Sequence, residues 1–172
     1  FNDMVTELDQ QKLALVEKEA LYRTVVRFAS DFIYWRGADG QMRYVSDNAE
    51  AVTGYPVQAF IDRPELLDDI IHPDDRDIWR THMHQGGGGG ELVPIDLRLV
   101  TRAGETRWIS HLCQPVVDDL GRYDGVRGSH SDITARKHAE GRLRLAGAVF
   151  DCARESIVVS DTGNRIVAVN PA

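Results

Sequence analysis

The sequence predicts an α+β domain: a five-stranded antiparallel sheet with short helices on one face and a long N-terminal helix leading into it. Three observations point there. Two short β runs flank Gly37-Ala38-Asp39-Gly40, three strand-length runs close the domain, and Pro56, Pro64 and Pro73 break the stretch between them into short helical pieces. A chain of 172 residues, 42% hydrophobic and 27% charged, fits one such globular domain with appendages.

Each element follows from its residues. From Phe1 to Arg36 there is neither Gly nor Pro, and Leu, Ala, Glu, Lys and Gln are plentiful, which predicts a helix over about residues 3–29. Leu8, Leu15, Tyr22 and Ala29 recur every seven residues, whereas of the companions Val5, Lys12, Glu19 and Val26 only the end ones are apolar. Two readings stand: a dimerisation helix, which makes a homodimer the expected assembly, or an amphipathic helix lying on its own domain. The β runs are Asp31–Trp35 and Met42–Val45. Ser46 or Asp47 is expected to cap the first helical piece, and Gly54 to end it. The pentaglycine Gly86–Gly90 reads as a surface loop. Strand runs then follow over 91–101, 105–117 and 122–133, and a helix over 135–152.

The last twenty residues repeat the first hairpin. Residues 153–170 lie on 29–47 with a one-residue gap, about 124 residues further on. The expected organisation is therefore an N-terminal helix at 1–29, the sheet domain at 30–134, a linker helix at 135–152, and the truncated first hairpin of a second domain at 153–172. Both ends look cut, as in a piece of a longer protein.

Composition narrows the function classes. The formal net charge of -7 argues against a nucleic-acid surface, which needs clustered positive charge. No apolar run approaches the roughly 18 residues of a membrane span. Cys113 and Cys152 make no disulfide framework, which suits a reducing, cytoplasmic compartment. GxSxG, HExxH, GxxxxGK[ST] and CxxC are all absent, so no catalytic residue and no metal site is expected.

Four segments then carry a resemblance. They are Tyr44-Val45-Ser46-Asp47-Asn48-Ala49-Glu50-Ala51-Val52-Thr53-Gly54-Tyr55, Ile71-His72-Pro73-Asp74-Asp75-Arg76, Arg102-Ala103-Gly104-Glu105-Thr106-Arg107-Trp108-Ile109, and Ser131-Asp132-Ile133-Thr134-Ala135-Arg136-Lys137. In this order they resemble the PAS sensory family, in its branch with HPDDR and DITxRK signatures, over residues 24–140. The resemblance implies the PAS fold and a regulatory domain of a bacterial multidomain signalling protein. Such a domain binds a small ligand or cofactor and relays the signal to an output domain of the same chain, a histidine kinase or a cyclic-dinucleotide enzyme. A ligand-free dimerisation or spacer module is the alternative. HPDDR itself reads as architecture, with Pro73 in a first helical turn and Asp74 and Asp75 at its positive end.

The resemblance places a ligand between sheet and helices. Leu97 and Leu99 are expected to face it because Asp96 and Arg98 face out. The family register adds Ile109, His111 and Cys113 on the fourth strand, His130 on the fifth, and Ile33 and Trp35 on the first, leaving Phe32 and Tyr34 outside. His111 and His130 then anchor a polar ligand or act as a protonation switch, or else bond each other, the backbone or water. His82 and His84 diverge by about 200° on a helix and cannot readily share a metal. They read as solvated positions, although one alone could ligate haem. The stretch from Gly54 to Trp79 holds no cysteine for a covalent flavin photocycle. A haem or a non-covalent flavin is compatible with the sequence, but neither is indicated by it.

Overall fold

The computed structural model describes residues 31–85 and 93–171. The expected N-terminal helix, its dimer seam and the pentaglycine lie outside these residues. The chain divides into two compact units between Asp132 and Ile133.

The first unit is built on a hairpin, β1 (Phe32–Arg36) and β2 (Met42–Val45), and a meander, β3 (Ile95–Val100), β4 (Thr106–Val117) and β5 (Tyr123–Asp132). They form one antiparallel five-stranded sheet in the order β2-β1-β5-β4-β3. First and last strands are thus neighbours at the centre, and the helical segment crosses from one edge to the other. That segment comprises α1 (Asn48–Thr53), α2 (Val57–Asp62), α3 (Leu66–Asp69), a 3-10 turn at Pro73–Asp75 and α4 (Arg76–Gln85). Gly54 ends α1 with φ 76°, a left-handed conformation that suits a residue without Cβ. The core between the layers includes Phe32, Tyr34, Ala49, Phe60, Leu67, Ile71, Trp79, Leu97, Leu99 and Ile109.

Two local expectations are corrected. Ser46 does not cap α1: its hydroxyl accepts the Ile33 N–H at 2.9 Å, and Asp47 holds the N-cap position without a side-chain cap bond. On β1 the buried residues are Phe32 and Tyr34, while Ile33 and Trp35 are only half-buried on the other face. The reason lies in the partner strand. Tyr34 sits opposite Gly128, where a Cβ would come within 2.4 Å of the phenol ring. The missing side chain makes the room Tyr34 occupies. Trp35 instead carries the Arg43 guanidinium 5.9 Å from its ring centroid.

The second unit holds α5 (Thr134–Cys152) and a two-stranded hairpin, β6 (Val158–Ser160) and β7 (Ile166–Val169). Asn170 closes this hairpin by accepting the Ile157 N–H at 2.7 Å, as Ser46 does for Ile33 in the first. The two bonds lie 124 residues apart along the chain, from Ser46 to Asn170 and from Ile33 to Ile157. Among the described residues no helix is long and apolar enough to cross a membrane.

Candidate functional site

The sheet brings its two interior histidines face to face. His111 on β4 pairs directly with His130 on β5, and Cys113 pairs with Gly128. Strand alternation then puts His111 and Cys113 on the helix-facing side with Ile109, while Ser110, Leu112 and Gln114 take the other side. Leu97 and Leu99 are fully buried on that inner side as well. Six of the eight expected lining residues therefore share one interior; Ile33 and Trp35 are replaced by Phe32 and Tyr34.

Helix α4 covers this cluster because its start is pinned to β3. The His72 N–H donates to the Arg98 carbonyl at 2.9 Å, and the Val100 N–H donates to the Ile70 carbonyl at 2.7 Å. Asp75 accepts from the Arg98 backbone N–H at 2.7 Å and from its guanidinium at 2.7 Å, holding its own carboxyl below the usual range. The acidic residue thus reaches across to β3 instead of merely facing its own turn. Trp79 lies inside, its indole N–H donating to Asp68 Oδ1 at 2.7 Å, and Asp68 in turn pairs with Arg36 at 3.0 Å.

One turn beyond Trp79, on the same helix face, His82 points inward. Its Nε2 lies 3.1 Å from Cys113 Sγ, which corrects the expectation of a solvated side chain. Its spacing of three from a tryptophan was the available signal. His111 Nδ1 lies 3.2 Å from the Ser129 carbonyl, an acceptor only, so Nδ1 carries the proton and Nε2 the lone pair.

Among the described residues that Nε2 has no partner, and neither nitrogen of His130 has one. His130 is surrounded by rings: Phe32 at 5.1 Å, Tyr34 at 5.5 Å, Trp79 at 5.9 Å and His111 at 4.7 Å between centroids. Burial disfavours the charged imidazoles, pushing His111 down to about 3, with the His82 charge adding to the effect, and His130 well below its ordinary value. Burial also lowers His82 and raises the Cys113 thiol. At neutral pH the interior therefore offers neutral imidazole nitrogens in an apolar setting. It suits a small polar or metallic guest. Phe32, Tyr34, Phe60 and Trp79 fill the middle of this interior.

Residues 42–130 match the PAS fold family. "Uncharacterized protein y4lL" of Sinorhizobium fredii is 30% identical over 140 residues, 80% of this chain and 17% of that protein. The "Methyl sulfide methyltransferase-associated sensor" of Methanosarcina acetivorans is 30% identical over 108 residues, 62% of this chain and 11% of that protein. The chain thus spans less than a fifth of either curated relative. Among solved structures, a "Sensory Box Histidine Kinase/Response Regulator" from Burkholderia thailandensis superposes with a TM-score of 0.58 at 25% identity, covering 74% of this chain and 95% of that one.

Proposed function

Because the chain belongs to the PAS family, we propose that it is the non-catalytic sensory module of a multidomain signalling protein of bacterial type. It takes a small guest among the buried histidines and passes its state to an output domain of the same chain. One observation carries this reading: His111 Nε2 and both nitrogens of His130 are buried without partners among the described residues. Each such group costs a fold about 1–3 kcal/mol, a cost that a scaffold with no ligand has no reason to keep. The small share of each curated relative that the chain spans supports a module within a longer protein.

The route outward is covalent. His130 lies on β5, which ends at Asp132, and α5 begins at Thr134. A guest that moves the imidazole shifts the end of β5 and with it the first turn of α5. Beyond α5, the matched roles of Ser46 and Asn170 support residues 153–172 as the opening of a second module of the same kind. A cytoplasmic setting and histidine kinase or cyclic-dinucleotide output accompany this reading.

The densely filled interior favours a second reading, a ligand-free spacer or dimerisation module. Native mass spectrometry of the purified chain, coupled to hydrogen exchange, separates the two. The sensory reading expects bound mass in the native spectrum and, on its removal, altered exchange in residues 129–145. A native mass equal to the chain alone, or a guest whose loss leaves exchange unchanged, supports the spacer.

A further inference from the structure

We propose that His82, His111 and Cys113 form a binding site for a borderline-soft transition metal ion of the Zn2+ class. This deepens the sensory reading and rests on it for its use, since the ion, or a molecule held on it, would be the guest.

One ring nitrogen of each histidine and the Cys113 sulfur all lie within 4.8 Å of one another, with His82 Nε2 and Cys113 Sγ at 3.1 Å. A tetrahedral ion bound at about 2.0–2.1 Å from nitrogen and about 2.3 Å from sulfur holds its ligand atoms roughly 3.3–3.6 Å apart. Binding would draw the most widely separated of these atoms together by up to about 1.5 Å, a shift that side-chain rotation supplies. His111 and Cys113 stand two apart on β4 and so share one face, and α4 brings His82 down onto them.

The surroundings are those of a prepared site. Metal-bound histidines commonly donate their second ring N–H to a carbonyl or carboxylate, which sets the tautomer and aims the ring. His111 does this through Nδ1 to the Ser129 carbonyl at 3.2 Å, leaving Nε2 buried with its lone pair unused. The half-buried His82 also lines a surface groove with Asp77, Ile78, Thr81 and Ile95, so the cluster is reached from solvent through His82.

Ligand chemistry selects the ion. Two imidazoles and one thiolate suit zinc, cobalt or copper and not magnesium or calcium, which take oxygen ligands. On binding, the Cys113 S–H bond breaks, its proton passes to solvent, and the sulfur lone pair binds the ion, while both histidines enter neutral. Three protein ligands leave one coordination position open, as in sites that exchange a bound water for another small molecule. His130, its ring 4.7 Å from His111 and its nitrogens unpartnered, stands by to hydrogen-bond the occupant.

The test uses the full chain under reducing conditions, titrated with Co2+ and then Zn2+. The proposal expects one ion per chain, a thiolate-to-cobalt charge-transfer band with the visible bands of tetrahedral Co2+, displacement of both by Zn2+, and a Zn2+-dependent rise in Tm. Cys113→Ser should abolish the charge-transfer band. His82→Ala should weaken affinity roughly 100-fold, the upper end of losses even for residues that only support metal ligands. Neither substitution removes a fully buried ring, and circular dichroism of the metal-free variants verifies folding. Cys152→Ser and His138→Ala, at exposed positions of α5, should change nothing. Wild-type chain without the band or the Tm shift overturns the proposal, as does a band that survives Cys113→Ser. The sensory reading fails separately: Zn2+ that binds without altering exchange in residues 129–145 leaves the site standing and removes its signalling use. A native mass carrying some other guest on a chain that ignores Zn2+ does the reverse.

Discussion

His111 and His130 occupy directly opposed positions on neighbouring strands, their ring centroids 4.7 Å apart and both side chains wholly shielded from solvent. Two basic groups so placed stay neutral, because neither can take a proton without losing hydration and repelling the other. Acid should therefore unfold the metal-free domain early. The unfolded chain binds these protons below about pH 6.5, while folded His111 resists until about 3 and burial holds His130 well below its ordinary value. The unfolded state thus carries more protons across that window, and stability rises with pH there. Each histidine contributes a slope of up to about 1.4 kcal/mol per pH unit. His82, also lowered by burial, adds the same sign. Urea midpoints should be flat above about pH 7 and fall steeply between about pH 6 and 4. A flat profile down to about pH 4 would show that the pair is hydrated.

Replacing His130 by Leu exchanges a ring with two unpartnered nitrogens for an apolar side chain of similar volume. Stability of the metal-free chain should rise by about 1 kcal/mol or more, several degrees in Tm, and part of the acid slope should disappear. Thermal melts at neutral and mildly acidic pH measure both. A lower Tm would mean that the ring contacts of His130 outweigh its lost hydration.

Asp75 joins the turn before α4 to β3 through the backbone and guanidinium of Arg98. Asp75→Ala should lower stability by about 1–2 kcal/mol, a range that allows for the partial solvent exposure of the pair. It should also loosen His82 over Cys113, seen as faster exchange in residues 76–85. Unchanged exchange there would detach HPDDR from the positioning of α4.

Gly128→Ala places a methyl group against the Tyr34 ring and should cost about 1–3 kcal/mol, as overpacking does. Tyr34→Leu costs stability by itself, but the double variant should lose less than the sum of the two. Urea denaturation of all four proteins gives the coupling. Strict additivity would place the cost of the new methyl elsewhere.

Sequence alone revealed much of the meander and little of the hairpin's orientation. On β3, Asp96 and Arg98 alternate with Leu97 and Leu99, so a charged residue marks the outer face and the phase is legible. On β1, Phe32, Ile33, Tyr34 and Trp35 are all apolar, and the choice of face is made by Gly128 across the sheet, nearly a hundred residues away. His82 was hidden for a related reason. Its inward direction depends on how Asp75 fastens α4 to β3, which no local pattern expresses. The cluster with Cys113 joins residues 31 positions apart and belongs to tertiary structure alone.

The empty position at Gly128 also acts as a counting mark during strand assembly. Sliding β1 by one residue along β5 would turn its side chains to the wrong face, an error marked by the loss of the Phe32 and Tyr34 rings from the core. Sliding it by two keeps every face correct and so escapes that check. Either two-residue slip, however, sets Tyr34 opposite His130 or Val126, where a side chain already stands in place of the gap. One absent methyl therefore distinguishes the native alignment from its nearest plausible impostors, and central strands far apart in the chain find a single way to lie together.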